Sequence, residues 1–189
     1  ALEEMGLEYQ VFPINILEND QFQPDFLRIS PNNKIPAIVD QDGPKGEAIS
    51  VFESGAILQY LGRKTGQFYP SDEQSRVEVE QWLMWQMGGF GPMLGQNHHF
   101  SKFAPERIAY ATERYVNETK RLYAVLDKQL FGQNYVAGEY SIADMAIFPW
   151  ILRYEWQQID INDYPNVKAY MERIQARPAV QRALALQVN

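Results

Sequence analysis

Pro36 is the residue that most restricts what this chain can become. It stands in Ser30-Pro-Asn-Asn-Lys-Ile-Pro-Ala-Ile-Val-Asp40, directly ahead of the strand-forming residues Ala37, Ile38 and Val39. Proline has no amide proton for a sheet ladder, so inside a sheet it is confined to an edge, an entrance or a bulge. The backbone of Ile35 is thereby left free to pair with something other than its own sheet, and an extended peptide suits that position. A second landmark is Val51-Phe-Glu-Ser-Gly-Ala-Ile-Leu-Gln-Tyr-Leu61, where a strand gives way to a helical pattern at Glu53 and Ser54. Together the two stretches outline a peptide-sized site.

The rest of the chain divides around them. Ala1 to Gly6 reads as the end of a helix, with Gly6 closing it. Leu7 to Ile16 alternates roughly through Val11, Phe12, Ile14 and Ile16 and predicts a strand, with Pro13 near its edge or end. Gln21 to Ile29 has room for a short helix. Ile35 to Asp40 and Ala48 to Phe52 predict two strands joined by Gln41-Asp-Gly-Pro-Lys-Gly-Glu47, whose Asp-Gly and Gly residues suit a hairpin turn. Glu53 to Thr65 predicts a helix ended by Gly66. After Phe68-Tyr-Pro-Ser-Asp-Glu73 nothing strand-like follows. Helices are expected from about 77 onward with a kink at Gly88-Gly-Phe-Gly-Pro92, and over 105–131, 142–157 and 164–176, with a last turn or two after Pro178. The expected units are therefore 1–66, a linker at 67–74, and an all-helical 75–189. No repeat is visible.

Composition limits the function classes. Of 189 residues, 46% are apolar, ample for a packed core, and the formal charge of −7 argues against electrostatic capture of nucleic acid or anionic membrane. No run of 18 apolar residues and no leader pattern occurs, so the expected compartment is the cytoplasm. There is no cysteine, which excludes disulfide staples and thiolate zinc sites. Any thiol chemistry must take its thiol from a ligand.

The polar residues each have an ordinary reading beside a chemical one. Pro36 is by default a trans edge proline. Glu53 and Ser54 are placed to cap a helix, with Ser54 accepting from first-turn amides and Glu53 beside the positive dipole end. The same free amides also bind a carboxylate, and a neighbouring carboxylate side chain holds an ammonium. Gln21, Lys34 and Arg114 read as solvated surface. The two histidines, His98 and His99, point apart in any regular element and suit a metal poorly, so no metal is expected. Trp82 and Trp85, with Met84 and Met87, have core spacing, with one face able to wall an apolar pocket. Ser141 and Asp144 have capping-box spacing with Asp in place of Glu.

Four stretches, Asn33-Lys-Ile-Pro-Ala-Ile-Val, Phe52-Glu-Ser-Gly-Ala-Ile, Gly91-Pro-Met-Leu-Gly-Gln-Asn-His-His-Phe100 and Tyr140-Ser-Ile-Ala-Asp-Met-Ala146, together resemble the glutathione transferases. The third points within them to the bacterial Nu class and its fungal Ure2-like relatives. The resemblance spans the whole chain and implies an α/β thioredoxin-like N-terminal domain followed by an all-α C-terminal domain, with a first strand and most of a first helix expected ahead of Ala1. It implies a cis bond before Pro36, with the backbone of Ile35 receiving the cysteinyl part of glutathione. Glu53 would take the γ-glutamyl ammonium and Ser54 its carboxylate. Gln21 and Lys34 would sit at the glycyl end, and Arg114 matches an arginine that reaches glutathione from the helical domain.

The implied function is glutathione-dependent reduction of disulfide bonds using two glutathiones, in a two-fold homodimer. The rivals are conjugation of glutathione to electrophiles and a non-catalytic binding or regulatory role. The residue that activates the glutathione sulfur in this family lies after the first strand, so no catalytic residue is assigned. The expected partners are glutathione and a small disulfide or electrophile.

Overall fold

In a computed structural model, which describes residues 1–186, the chain runs from a small sheet into a stack of helices. A single turn at Ala1–Gly6 ends with Gly6 at φ 64°, and its Met5 amide donates to Ala1 O. A short helix, α1 (Pro24–Ile29), starts on a proline, whose missing amide costs nothing at a helix start. Strands β1 (Ala37–Asp40) and β2 (Ile49–Phe52) pair antiparallel, with Ala37 opposite Phe52 and Asp40 opposite Ile49. Helix α2 (Ser54–Thr65) follows β2 directly and ends at Gly66 in the left-handed conformation. Ile38 and Val51 of the sheet pack against the apolar cluster that includes Ile57, Leu58 and Leu61 of α2, and polar bonds add to the tie. Tyr60 donates to Asp40 at 2.5 Å, and Lys64 donates to the same oxygen at 2.5 Å.

Leu7–Ile16 differs from its reading as a strand. None of it joins a ladder, and the sheet among the described residues has only β1 and β2. Alternation specifies which face of a strand is apolar but supplies no neighbour, and without one there is no ladder. Val11, Phe12 and Ile16 are accordingly exposed.

The helical part is built from α3 (Glu73–Trp85), α4 (Gly91–His98), α5 (Ala109–Gln129), α6 (Ile142–Ile151), α7 (Pro165–Gln175) and α8 (Pro178–Ala185). The expected kink between α3 and α4 is a π-helical turn at Gln86–Phe90. Pro92 has no amide to return to the preceding turn, and a widened turn absorbs that loss without breaking the rod. Helix 142–157 is shorter than expected, closing at Ile151 before a 3-10 turn at Tyr154–Gln157. The segment expected to start at 105 begins as helix only at Ala109. The helical half was expected to reach Asn189, and residues 187–189 lie outside the described residues.

Val116, Leu122, Tyr123 and Leu126 recur at helical spacing on α5 and are buried, the last three in one apolar cluster with Leu83, Phe90 and Leu94. Met5, Ile57, Leu58 and Leu61 belong to the same apolar cluster, so α2 packs on the helices rather than beside them. Each fully buried side chain of this size stabilises by roughly 1.5–3 kcal/mol. The joint is also bonded: Ile142 N donates to Phe68 O at 2.9 Å, and Arg177 grips Glu4.

The capping box is present. Ser141 caps α6, and Asp144, fully buried, accepts from the amides of Val136 and Ser141 and from the hydroxyls of Ser141 and Tyr170. The Gln96-Asn-His-His stretch forms another buried knot. Asn97 donates to Thr119 Oγ1 and to Gln157 O, both at 2.9 Å, and Gln157 in turn accepts from Tyr123 Oη at 2.7 Å. His98 turns toward Trp150 and Trp156, while His99 lies edge-on to Phe100. Burial, with Arg153 and Lys102 nearby, holds the His98 pKa below its usual value. No described helix is long and apolar enough to cross a membrane.

Candidate functional site

The loop ahead of β1 is fixed from within. Ser30, almost fully buried, donates its hydroxyl to Lys34 O at 2.7 Å, and Asn33 N donates to Ser30 O at 2.9 Å with Asn33 at φ 50°. The Ile35–Pro36 peptide bond is cis. The ladder begins only at Ala37, so Ile35 lies outside it, and its side chain is exposed. On the facing side, β2 ends at Phe52 and α2 begins at Ser54. The one residue between them, Glu53, is held at φ 68°, ψ 116°. A bulky residue with positive φ is uncommon, and such backbone concentrates at binding and catalytic sites.

The ordinary reading of this junction, Ser54 as a cap, differs from what is found. Glu53 is the N-cap residue, Ser54 is the first helical residue, and no side chain caps this helix end among the described residues. The first amides of α2 are therefore unclaimed, at the end where the helix dipole favours an anion. The Ser54 hydroxyl points to Met87 Sδ, 3.7 Å away on the π-helical turn.

Ser30, Lys34, Ile35, Pro36, Phe52, Glu53 and Ser54 line one notch of about 60 Å³. A notch of that size takes a charged end-group rather than a whole peptide, so the remainder of an extended ligand would lie along the exposed edge at Ile35. Five residues singled out in the sequence, Lys34, Ile35, Pro36, Glu53 and Ser54, are thus brought together. Gln21 and Arg114 are not among the lining residues. Gln21 sits in the turn Asp20–Phe22, its amide nitrogen donating to Ile16 O at 3.4 Å and its oxygen enclosed without a partner. Arg114 is exposed on α5.

Sequence reasoning missed Ser30 and Phe52 as lining residues, and it missed the link between Met87 and Ser54. Ser30 had a signal in its position four residues before Lys34, a spacing that closes a turn through a serine hydroxyl. Met87 had core spacing but no signal for its contact with Ser54, which spans 33 residues. A larger cavity of about 580 Å³ opens between α3 and the segment after α5, walled by Trp82 and Trp85 with Glu78, Gln129 and Gln133. The aromatic pair does wall a pocket, but that pocket contains none of the predicted site residues.

Both halves of the chain match known proteins. Residues 1–63 match the glutathione S-transferase N-terminal domain and residues 90–178 the glutathione S-transferase C-terminal domain. The disulfide-bond oxidoreductase YfcG of Escherichia coli strain K12 is 54% identical over 187 residues, covering 97% of this chain and 86% of that protein. YghU of the same organism, also named a disulfide-bond oxidoreductase, is 43% identical over 191 residues, covering 96% of this chain and 65% of its own length. A glutathione transferase from Burkholderia graminis, solved with two glutathione molecules per subunit, superposes with a TM-score of 0.91 at 47% identity, covering 97% of this chain and 80% of that one. One from Pseudomonas putida, solved with one glutathione disulfide per subunit, gives 0.94 at 44%, covering 99% and 84%. With family matches in both halves and relatives of this identity, the chain belongs to the glutathione S-transferase family.

Proposed function

We propose that this protein reduces disulfide bonds with glutathione, using two glutathione molecules whose thiols do the chemistry. The observation that carries the reading is the notch itself: a cis-proline loop faces an uncapped helix start and a strained carboxylate, in a chain that has no cysteine. An α-amino acid end carries an ammonium and a carboxylate on one carbon. Glu53 suits the first, and the Ser54 hydroxyl with the free amides of α2 suits the second. Ile35, outside the ladder, offers backbone groups to the next peptide unit, the cysteinyl one in glutathione. Lys34 supplies a cation toward the glycyl carboxylate.

Thiol–disulfide exchange needs an attacking and a leaving thiolate. With none from these 189 residues, one glutathione thiolate attacks the substrate disulfide, forming a mixed disulfide and expelling the first substrate thiolate. A second glutathione thiolate then attacks the glutathione sulfur of that adduct, releasing the substrate's remaining thiol and leaving glutathione disulfide. The names of YfcG and YghU, and the paired glutathiones and glutathione disulfide in the solved relatives, support this over conjugation.

Residues 1–66 form the glutathione-binding unit of this reading, 67–74 the linker and the remainder the helical unit. We place the protein in the cytoplasm, where glutathione is reduced, and take it as a homodimer. Arg114, exposed and absent from the notch, stays a candidate for the part of glutathione that lies beyond it, reached from the helical unit. Gln21 stays a candidate for the glycyl end, its enclosed oxygen still without a donor. The deciding experiment is a side-by-side rate measurement with saturating glutathione, one arm reducing a small organic disulfide and the other conjugating a chloronitrobenzene. Reduction dominating supports the proposal, and conjugation dominating selects a conventional transferase.

A further inference from the structure

Among the described residues, Ser54 is the one residue of the notch whose hydroxyl is engaged by a side chain from the helical part, and that side chain is a methionine. Met87 lies on the π-helical turn Gln86–Phe90 and is half-buried. It crosses the first turn of α2 closely enough that a Cβ on Gly55 would stand 3.0 Å from Met87 Cγ and 3.3 Å from Sδ. Glycine at 55 is what lets the thioether reach Ser54. Met87 does not line the notch, so it acts on a ligand only through Ser54.

A thioether is a weak acceptor, and the Ser54 hydroxyl has one proton to give. In the reduced protein that hydrogen bond is readily redirected to a better acceptor, the carboxylate of a ligand. Oxidation changes the competition. A peroxide delivers one oxygen to Met87 Sδ: the peroxide O–O bond breaks, an S–O bond forms, sulfur loses two electrons and water leaves. The product oxygen is a strong acceptor, and the sulfur that carries it already lies 3.7 Å from the Ser54 hydroxyl.

We propose that Met87 is a reversible oxidation site that controls ligand affinity: as its sulfoxide it takes the Ser54 hydroxyl away from the ligand carboxylate. This rests on the reading of the notch as a glutathione site. Its chemistry suits a protein whose substrates, disulfides, accumulate when peroxides do, and methionine sulfoxide is restored by its own reductases.

The test uses the protein with Met84→Leu, because Met84 is 50% exposed and would otherwise be oxidised alongside. It is treated with hydrogen peroxide, desalted so that no peroxide meets glutathione, and titrated calorimetrically with glutathione while peptide mass spectrometry reads oxygen at Met87. Oxygen at Met87 with an affinity loss of about tenfold or more, the worth of one charge-assisted hydrogen bond, supports the proposal. So does recovery after a methionine sulfoxide reductase, and so does a Met84→Leu, Met87→Leu protein whose affinity is the same before and after peroxide. Met87 unmodified, or modified with affinity unchanged, overturns it while leaving the glutathione reading intact. The same loss in the double variant also overturns it. Untreated protein that fails to bind glutathione overturns the underlying reading and this inference with it.

Discussion

Arg177 holds Glu4 with two bonds, Nε to Oε1 at 2.6 Å and Nη2 to Oε2 at 2.9 Å, although 173 residues separate them. The guanidinium also lies 3.8 Å over the Tyr140 ring. The Glu4 side chain is 8% exposed and that of Arg177 27%, so the pair is only partly screened. It fastens the turn ahead of the site to the end of the helical stack. Replacing Arg177 with Ala strands a nearly buried carboxylate and is expected to cost about 2 kcal/mol, seen as a lower urea midpoint at unchanged m-value. Glu4→Gln is expected to cost less, because Arg177 keeps its ring contact and its exposure to water.

Acid and alkaline stability both bear on Asp40. The hydrogen bond from Lys64, and after it the one from Tyr60, hold the Asp40 carboxyl below its ordinary range. A depressed carboxylate contributes stability that is present above the unfolded value of about 3.9 and is lost as pH falls through the lower folded value. Tyr60 is pushed up to about 12, by burial first and then by Asp40. Its contribution is complete below about pH 10 and is lost as pH rises toward 12. Urea midpoints measured against pH should flatten at the acid end in Asp40→Asn, and the alkaline decline, which still begins at about pH 10, should be smaller because the folded Tyr60 value falls back toward the unfolded one.

Gly62→Ala sets helix propensity against packing. Alanine inside a helix gains up to about 1 kcal/mol over glycine. A Cβ at 62, however, would stand 2.6 Å from Tyr69 Cβ, and Tyr69 is pinned through its hydroxyl to Glu80 and Gln59. Overpacking costs typically about 1–3 kcal/mol, so thermal melting should show net destabilisation.

What the sequence revealed tracks the range of the interaction. The Ser141–Asp144 box and the β1–β2 hairpin were legible because spacing and turn residues are local signals. Pro36, Glu53 and Ser54 were legible as landmarks, since proline and a strand-to-helix switch restrict backbone by themselves. Leu7–Ile16 was misread because alternation does not disclose whether a pairing edge exists. Asn97 was legible only as part of a resemblance, and its work, bonding Thr119 and Gln157, depends on elements far along the chain. Met87 was legible as core spacing, but its reach to Ser54, 33 residues away, was not.

The central claim is that the notch holds the α-amino acid end of glutathione, and Glu53→Gln tests it most directly. The substitution keeps size and one acceptor but removes the charge that faces the ammonium, a loss of about 1.5–3 kcal/mol in binding. The measurement is steady-state disulfide reduction with glutathione varied, comparing Glu53→Gln with the unchanged protein. The account predicts a KM for glutathione raised roughly tenfold or more with kcat largely kept, because Glu53 holds the ligand far from its sulfur. A KM equal to that of the unchanged protein would contradict it.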